Sequence, residues 1–286
     1  MEEFKNIYII GVGLIGGSFA RDAKKTLPGS TIYGIDANKE NLDEAKKLGV
    51  IDASATYEDL KKADLVILSI PVDQANDQLP LILDRVNENA LVIDMGSTKA
   101  GICNAAAGHT KRKNFLAAHP IAGTEFSGPT AAIEKLYDGK TLIVCELEKT
   151  DEKLQQKALQ LFEAIGMHMR YMEPQSHDKH IAYVSHLSHI SSFMLGKTVI
   201  EKEKNEKDIF DMAGSGFAST VRLAKSNPAT WTPIFKENKM HVLETLTEYI
   251  SNLNHFKYYL ENDDYEAVYN EMENTNHIKT ILKGLS

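Results

Sequence analysis

The chain has 286 residues, 43% hydrophobic and 25% charged, with 40 acidic against 32 basic side chains and a net charge of -8. These proportions describe a folded globular protein of about two domains, not a disordered chain. The acidic balance argues against a nucleic-acid partner, which calls for a basic face, and no apolar run reaches the ~18 residues that a membrane helix needs. Cys103 and Cys145, the two cysteines, offer neither a disulfide framework nor a metal-ligand spacing. Met1 leads through Glu2 and Glu3 directly towards the first strand, so no signal or transit segment is expected and a cytoplasmic location is the simpler reading.

The first predicted elements form a strand, a glycine turn and a helix. An apolar strand over 6–10 meets Gly11-Val12-Gly13-Leu14-Ile15-Gly16-Gly17-Ser18, and a helix follows over 18–25. In a G-x-G-x-x-G turn the first glycine permits the bend, the second admits a pyrophosphate and the third lets helix pack on strand. A second strand over 31–36 ends in Asp36, about 20 residues past the last glycine, where an acid accepts from ribose hydroxyls and repels a 2′-phosphate. The expectation is NAD rather than NADP, softened by nearby Lys39. The expected cofactor contacts are Gly11, Gly13, Leu14, Ile15, Gly16, Asp36, Ser69 and Ser97.

Asn38 caps a helix that runs through Lys47. Continuous apolar strands over 64–71 and 90–94, separated by a helix over 74–86, read as parallel strands covered on both faces. A helix through Ala107 leads to a fifth strand over 115–118, ending at His119-Pro120. Strand-like segments over 141–145 and 168–172 flank an amphipathic helix over 151–165 and extend the same sheet. The fold expected is α/β: a Rossmann-type doubly wound, mostly parallel sheet over 1–173, then an all-α region over 174–286. Helical segments are predicted over 176–204, 207–225, 229–262 and 264–285. Their apolar faces require helix packing or a second subunit, and a homodimer is the default expectation.

Ligands of such sheets bind outside the carboxyl ends of the strands, which places Gly11, Asp36, Ser69, Ser97 and His119 around one cleft. A histidine at a strand end can take a hydroxyl proton while hydride leaves the same carbon; a loop histidine held by hydrogen bonds fits the spacing equally well. Ser97 reads either as a ligand of the reacting hydroxyl or as a helix N-cap. His177, His180, His186 and His189 fall on one predicted helix with i, i+3 pairs, but no carboxylate or cysteine cluster completes a metal site, so none is expected. Arg222, on a predicted amphipathic helix, suits bidentate capture of a carboxylate. Trp231, the only tryptophan, is expected to pack at the domain junction.

Together the glycine motif, Asp94-Met95-Gly96-Ser97-Thr98-Lys99, His119-Pro120-Ile121-Ala122-Gly123-Thr124-Glu125, Ser185-His186-Leu187-Ser188-His189 and the stretch from Arg222 to Trp231 resemble the prephenate dehydrogenase family, in family order across nearly the whole chain. The resemblance implies a C-terminal domain of the 6-phosphogluconate-dehydrogenase-like type. It also implies NAD-dependent oxidative decarboxylation of prephenate to 4-hydroxyphenylpyruvate, in tyrosine biosynthesis. It assigns the base to His119 and orientation of the reacting hydroxyl to Ser97. Arg222, His189 and His186 become substrate contacts, and Glu125 shapes or gates the pocket. Any inhibition by tyrosine is expected at the active site.

Two residues depart from the family pattern. Ser188 stands where many members have proline, which is expected to alter the helix bend near His189, and Ser215 stands where glycine is frequent. The rival readings are arogenate (cyclohexadienyl) dehydrogenase, another two-domain hydroxyacid or imine dehydrogenase, and a non-catalytic NAD-binding sensor.

Overall fold

The computed structural model describes residues 4–206 and 208–283; the predicted helix bounds at Lys207 and Leu285 lie outside them. The chain alternates β1 (Asn6–Ile10), α1 (Leu14–Thr26), β2 (Thr31–Ile35), α2 (Lys39–Lys47), β3 (Ala53–Ser54), β4 (Leu65–Leu68), α3 (Val72–Arg85), β5 (Leu91–Asp94), α4 (Ala100–Ala106) and β6 (Phe115–Pro120). After these come β7 (Thr141–Cys145), α5 (Glu152–Ala164) and β8 (His168–Tyr171). One sheet takes the order β3-β2-β1-β4-β5-β6-β7-β8, parallel throughout except where β7 runs antiparallel to β6.

The continuous apolar strands are explained by burial on both faces. Along β4, Leu65 and Ile67 pack into a core with Phe19 of α1 and Phe162 of α5, while Val66 and Leu68 face Leu79 and Ile82 of α3. Successive side chains of a strand point to opposite faces, so a run without polar alternation is what two covered faces require. At about 1.5–3 kcal/mol for each fully buried aliphatic side chain, the two layers hold the strand ends in fixed register.

β3 escaped notice because two residues cannot display a period. β6 continues past the predicted end through His119 and Pro120, which pair with Ile143 and Leu142 of β7. Proline suits this extended backbone, and its missing N–H falls at the final pair of the ladder.

Beyond β8 every described element is helical: α6 (Pro174–Ile181), a π turn at Ala182–His186, α7 (Leu187–Glu203), α8 (Ser215–Thr220), α9 (Pro228–Glu237), α10 (Lys239–Glu261), α11 (Tyr265–Thr275) and α12 (Ile278–Lys283). The single helix expected over 207–225 is instead the short α8 between 3-10 turns, and Arg222 starts the second of these turns. Gly214 is the N-cap of α8, so the break before this helix falls at a glycine, which the apolar spacing does not reveal. The segment expected over 229–262 breaks at Asn238. The helix passes through Ser188 without interruption, and the Ser188 hydroxyl donates to the Val184 carbonyl at 3.3 Å.

Two compact units result, Met1–Lys239 and Met240–Ser286. The first holds the sheet together with α6 to α9. Among the described residues no helix is long and apolar enough to cross a membrane.

Candidate active site

After β1 the chain crosses to the face covered by α1, and after β4 to the opposite face covered by α3. The strand ends therefore part between β1 and β4, where open sheets bind ligands. Gly11 bends the chain there at φ +92°, and a Cβ on it would stand 2.5 Å from the Ser69 carbonyl oxygen. Gly16 is still more confined: its Cβ would meet the Gly11 carbonyl oxygen at 2.2 Å and Ser69 Oγ at 2.3 Å. Ser69 braces the turn by donating its hydroxyl to the Gly11 carbonyl at 2.8 Å.

Gly13, by contrast, has only the Gly128 nitrogen near its open face, at 4.0 Å. It caps α1, whose first turn carries no acid, so the positive end of the helix is free to receive an anion. Asp36 stands beside it. Its Oδ2 accepts from the Val12 amide at 3.1 Å, and its Oδ1 from the Asn38 amide at 2.9 Å and from Asn41 Nδ2 at 3.2 Å. A glycine cradle, an unopposed helix N-terminus and a fixed carboxylate suit the pyrophosphate and ribose of a dinucleotide.

These residues line a cavity of about 460 Å3. Its walls include Gly11, Gly13, Leu14, Ile15, Asp36 and Ser69, then Gly96 and Ser97 after β5, residues 122–128 after β6, and Thr230, Trp231 and Ile234 of α9. Ser97 is no N-cap. The first amides of α4 are held instead by Asp178 of α6, whose Oδ1 accepts from Lys99 N at 2.7 Å and whose Oδ2 accepts from Ala100 N at 2.9 Å.

His119 does not itself line the cavity, although Ala122 and Gly123, three and four residues on, do. It is buried with its Nδ1 2.8 Å from His177 Nε2, the two rings meeting edge to face. His177 Nδ1 lies 2.7 Å from Asp178 Oδ1. Lys99 is fully buried, pairs with Asp94 and donates to the Ala118 carbonyl at 2.7 Å, directly before His119. Burial, followed by His177 and the Lys99 charge, holds the His119 imidazole well below its usual pKa, so it is neutral. Burial also lowers His177, against the pull of Asp178. Asp178 remains below the usual carboxylate range because His177 and the two amides outweigh the cost of its burial.

Two models for this family cover most of the chain: the nucleotide-binding domain of prephenate dehydrogenase over residues 19–171 and the dimerization domain of prephenate dehydrogenase over residues 173–274. The chain belongs to the prephenate dehydrogenase family. It is 33% identical to prephenate dehydrogenase of Bacillus subtilis over 274 residues, which is 94% of this chain and 74% of that one. It is 27% identical to cyclohexadienyl dehydrogenase of Zymomonas mobilis, covering 99% of this chain and 98% of that one. Among solved structures it resembles prephenate dehydrogenase from A. aeolicus in complex with hydroxyphenyl propionate and NAD+, with a TM-score of 0.86, 32% identity and coverage of 98% and 99% of the two chains.

The other residues expected in a prephenate dehydrogenase site divide into two groups. Glu125 lines the cavity and meets Arg222, whose Nη1 lies 3.4 Å from Oε2. His189 stacks on Trp231 with ring centroids 3.3 Å apart and approaches the Ser185 carbonyl through Nδ1 at 3.0 Å. Trp231 is thus a cavity wall, beyond the packing role expected of it. His186, also expected near the substrate, is fully buried, edge-on to Trp231 and Phe235, with Nδ1 3.2 Å from Asn238 Nδ2. Of the four histidines, His180 alone is exposed. Sequence reasoning gave no role to Asp178, Lys99, Asp94 and Asn238; Asp94 and Lys99 bound the stretch that carries the resemblance around Ser97, and the His177-Asp178 dipeptide carried a signal of its own, a carboxylate next to an imidazole.

Proposed function

We propose that the protein is an NAD-dependent prephenate dehydrogenase. The observation that carries this reading is the neutral, buried His119 at the end of β6, the strand paired with the β5 that Ser97 follows, in a chain whose glycine turn and Asp36 suit NAD. NAD supplies the hydride acceptor. The C4 hydroxyl proton of prephenate passes to His119 while its C4 hydride leaves. The ring carboxylate then departs as carbon dioxide, its bonding pair completing the aromatic ring, and the ring oxygen takes the proton back from His119 to give 4-hydroxyphenylpyruvate. The driving force lies in the substrate, so the protein contributes orientation, one base and anion clamps.

In this reading Ser97 orients the ring hydroxyl, Arg222 holds a substrate carboxylate, and Glu125 gates the cavity through its contact with Arg222. His189, backed by Trp231, faces the substrate side chain. Residues 1–173 bind the dinucleotide, and residues 174–286 serve substrate binding and dimerisation. A homodimer is supported by the family's dimerization domain and by exposed Ile250, Leu253, Ile278 and Ile281 on α10 and α12.

Arogenate differs by an ammonium in place of the keto group. The cavity-lining carboxylates among the described residues are Asp36 and Glu125, the first occupied by amides and the second facing Arg222. Neither is dedicated to an ammonium, which favours prephenate. The reading is tested with His119→Asn, for which NAD affinity should persist while kcat falls by about 10²–10⁴-fold, the usual contribution of a general base. Turnover at the wild-type rate would refute it.

A further inference from the structure

The backbone amides at the start of α4 determine where each proton lies in the row behind His119. An amide N–H can only donate, so Asp178, bonded to the amides of Lys99 and Ala100 as well as to His177 Nδ1, serves as an ionised acceptor. His177 Nδ1 must therefore carry a hydrogen. A neutral imidazole protonated at Nδ1 is bare at Nε2, and the nitrogen facing that bare atom at 2.8 Å, His119 Nδ1, must be the donor.

We propose that His177 and Asp178 are positioning residues that fix His119 in its Nδ1-protonated tautomer, leaving His119 Nε2 as the nitrogen that accepts the substrate proton. The inference rests on the reading of His119 as the base. When the substrate O–H bond breaks, its proton binds Nε2 and the His119 ring becomes cationic. The His177 lone pair, polarised by the Asp178 carboxylate, stabilises that cation, and no proton moves beyond His119. The reverse tautomer would present an N–H to the substrate hydroxyl and abolish the base.

The row is anchored beyond the two histidines. Asp178 bridges α6 to α4, and its own carbonyl accepts from Asn238 Nδ2 at 2.6 Å. The other charged or titratable groups facing His119 are the Lys99–Asp94 pair and His186. Lys99 opposes protonation of His119, while Asp178 at the far end offsets that cost once the proton has arrived.

Long-range 1H–15N spectra of the full-length protein labelled in histidine read the tautomer directly. The expected result is a protonated Nδ1 and a bare Nε2 on His119 at neutral pH; a bare Nδ1 would overturn the proposal. Kinetics supply a second readout. His177→Leu removes the acceptor and should lower kcat by about 10²-fold with little change in prephenate KM or NAD affinity. His177→Gln restores a carbonyl acceptor and should recover much of that loss. A His177→Leu variant with wild-type kcat, beside an inactive His119→Asn, rejects the positioning role alone. Wild-type turnover by His119→Asn rejects the base reading beneath it. If His177→Leu fails to fold, the wild-type spectrum still decides.

Discussion

Arg222 Nη1 stands 3.4 Å from Glu125 Oε2, linking the turn after α8 to the cavity loop after β6. The Arg222 side chain is half-exposed, and an ion pair of that kind is worth at most about 1 kcal/mol. Arg222 can therefore exchange Glu125 for a substrate carboxylate at little cost. Arg222→Ala should raise the prephenate KM by about 10–100-fold, the equivalent of one charged hydrogen-bonding clamp, with a smaller effect on kcat. An unaltered KM in steady-state kinetics would show that Arg222 holds no carboxylate.

Asp36 offers carboxylate oxygens at the end of β2 and is fixed by three donors. Its negative charge should exclude a 2′-phosphate. Asp36→Ala is expected to erode the preference for NAD over NADP, measured as the ratio of the two kcat/KM values. If that ratio stays as in the wild type, selectivity resides elsewhere.

Gly16 has no room for a methyl group, since a Cβ would meet two oxygen atoms of the turn at 2.2 and 2.3 Å. Gly16→Ala must displace α1 from β1 or open the Ser69 bracket. Both a lower melting temperature and weaker NAD binding are expected, and titration calorimetry showing wild-type affinity would disprove the tight fit.

The opening strand, turn and helix were readable because their determinants are local: an apolar run, three glycines and an acid at a set interval. The row behind His119 was not, because Asp178 meets Ala100 across 78 positions of sequence and His119 meets His177 across 58. Lys99 reads as an ordinary polar residue of a loop, yet Asp94 and the Ala118 carbonyl make its burial tolerable. Apolar spacing puts Arg222 on a long helix because it does not register the end of α8 at Thr220 or the separate 3-10 turn that begins at Arg222. His186 and His189 share a helical face in sequence, but tertiary packing buries His186 edge-on to Trp231 and Phe235 and stacks His189 on the Trp231 ring.

Burial lowers the His186 pKa to about 4, and the neutral ring remains packed against Trp231 and Phe235. In the unfolded chain it would titrate near 6.5, so between these values the unfolded state binds more protons and stability rises with pH. This contribution is complete above about pH 6.5 and is lost as pH falls towards 4, a difference of roughly 3 kcal/mol from this residue. Denaturant titrations of the wild type and His186→Gln from pH 7 to 4 should show a shallower dependence in the variant. Parallel curves would contradict the assignment.

NADH formation assayed with prephenate and arogenate side by side reports both the substrate and the electron acceptor. Rapid release of NADH and carbon dioxide from prephenate is expected, with a much lower kcat/KM for arogenate. A clear preference for arogenate, or no NADH from either substrate, would contradict the proposed function.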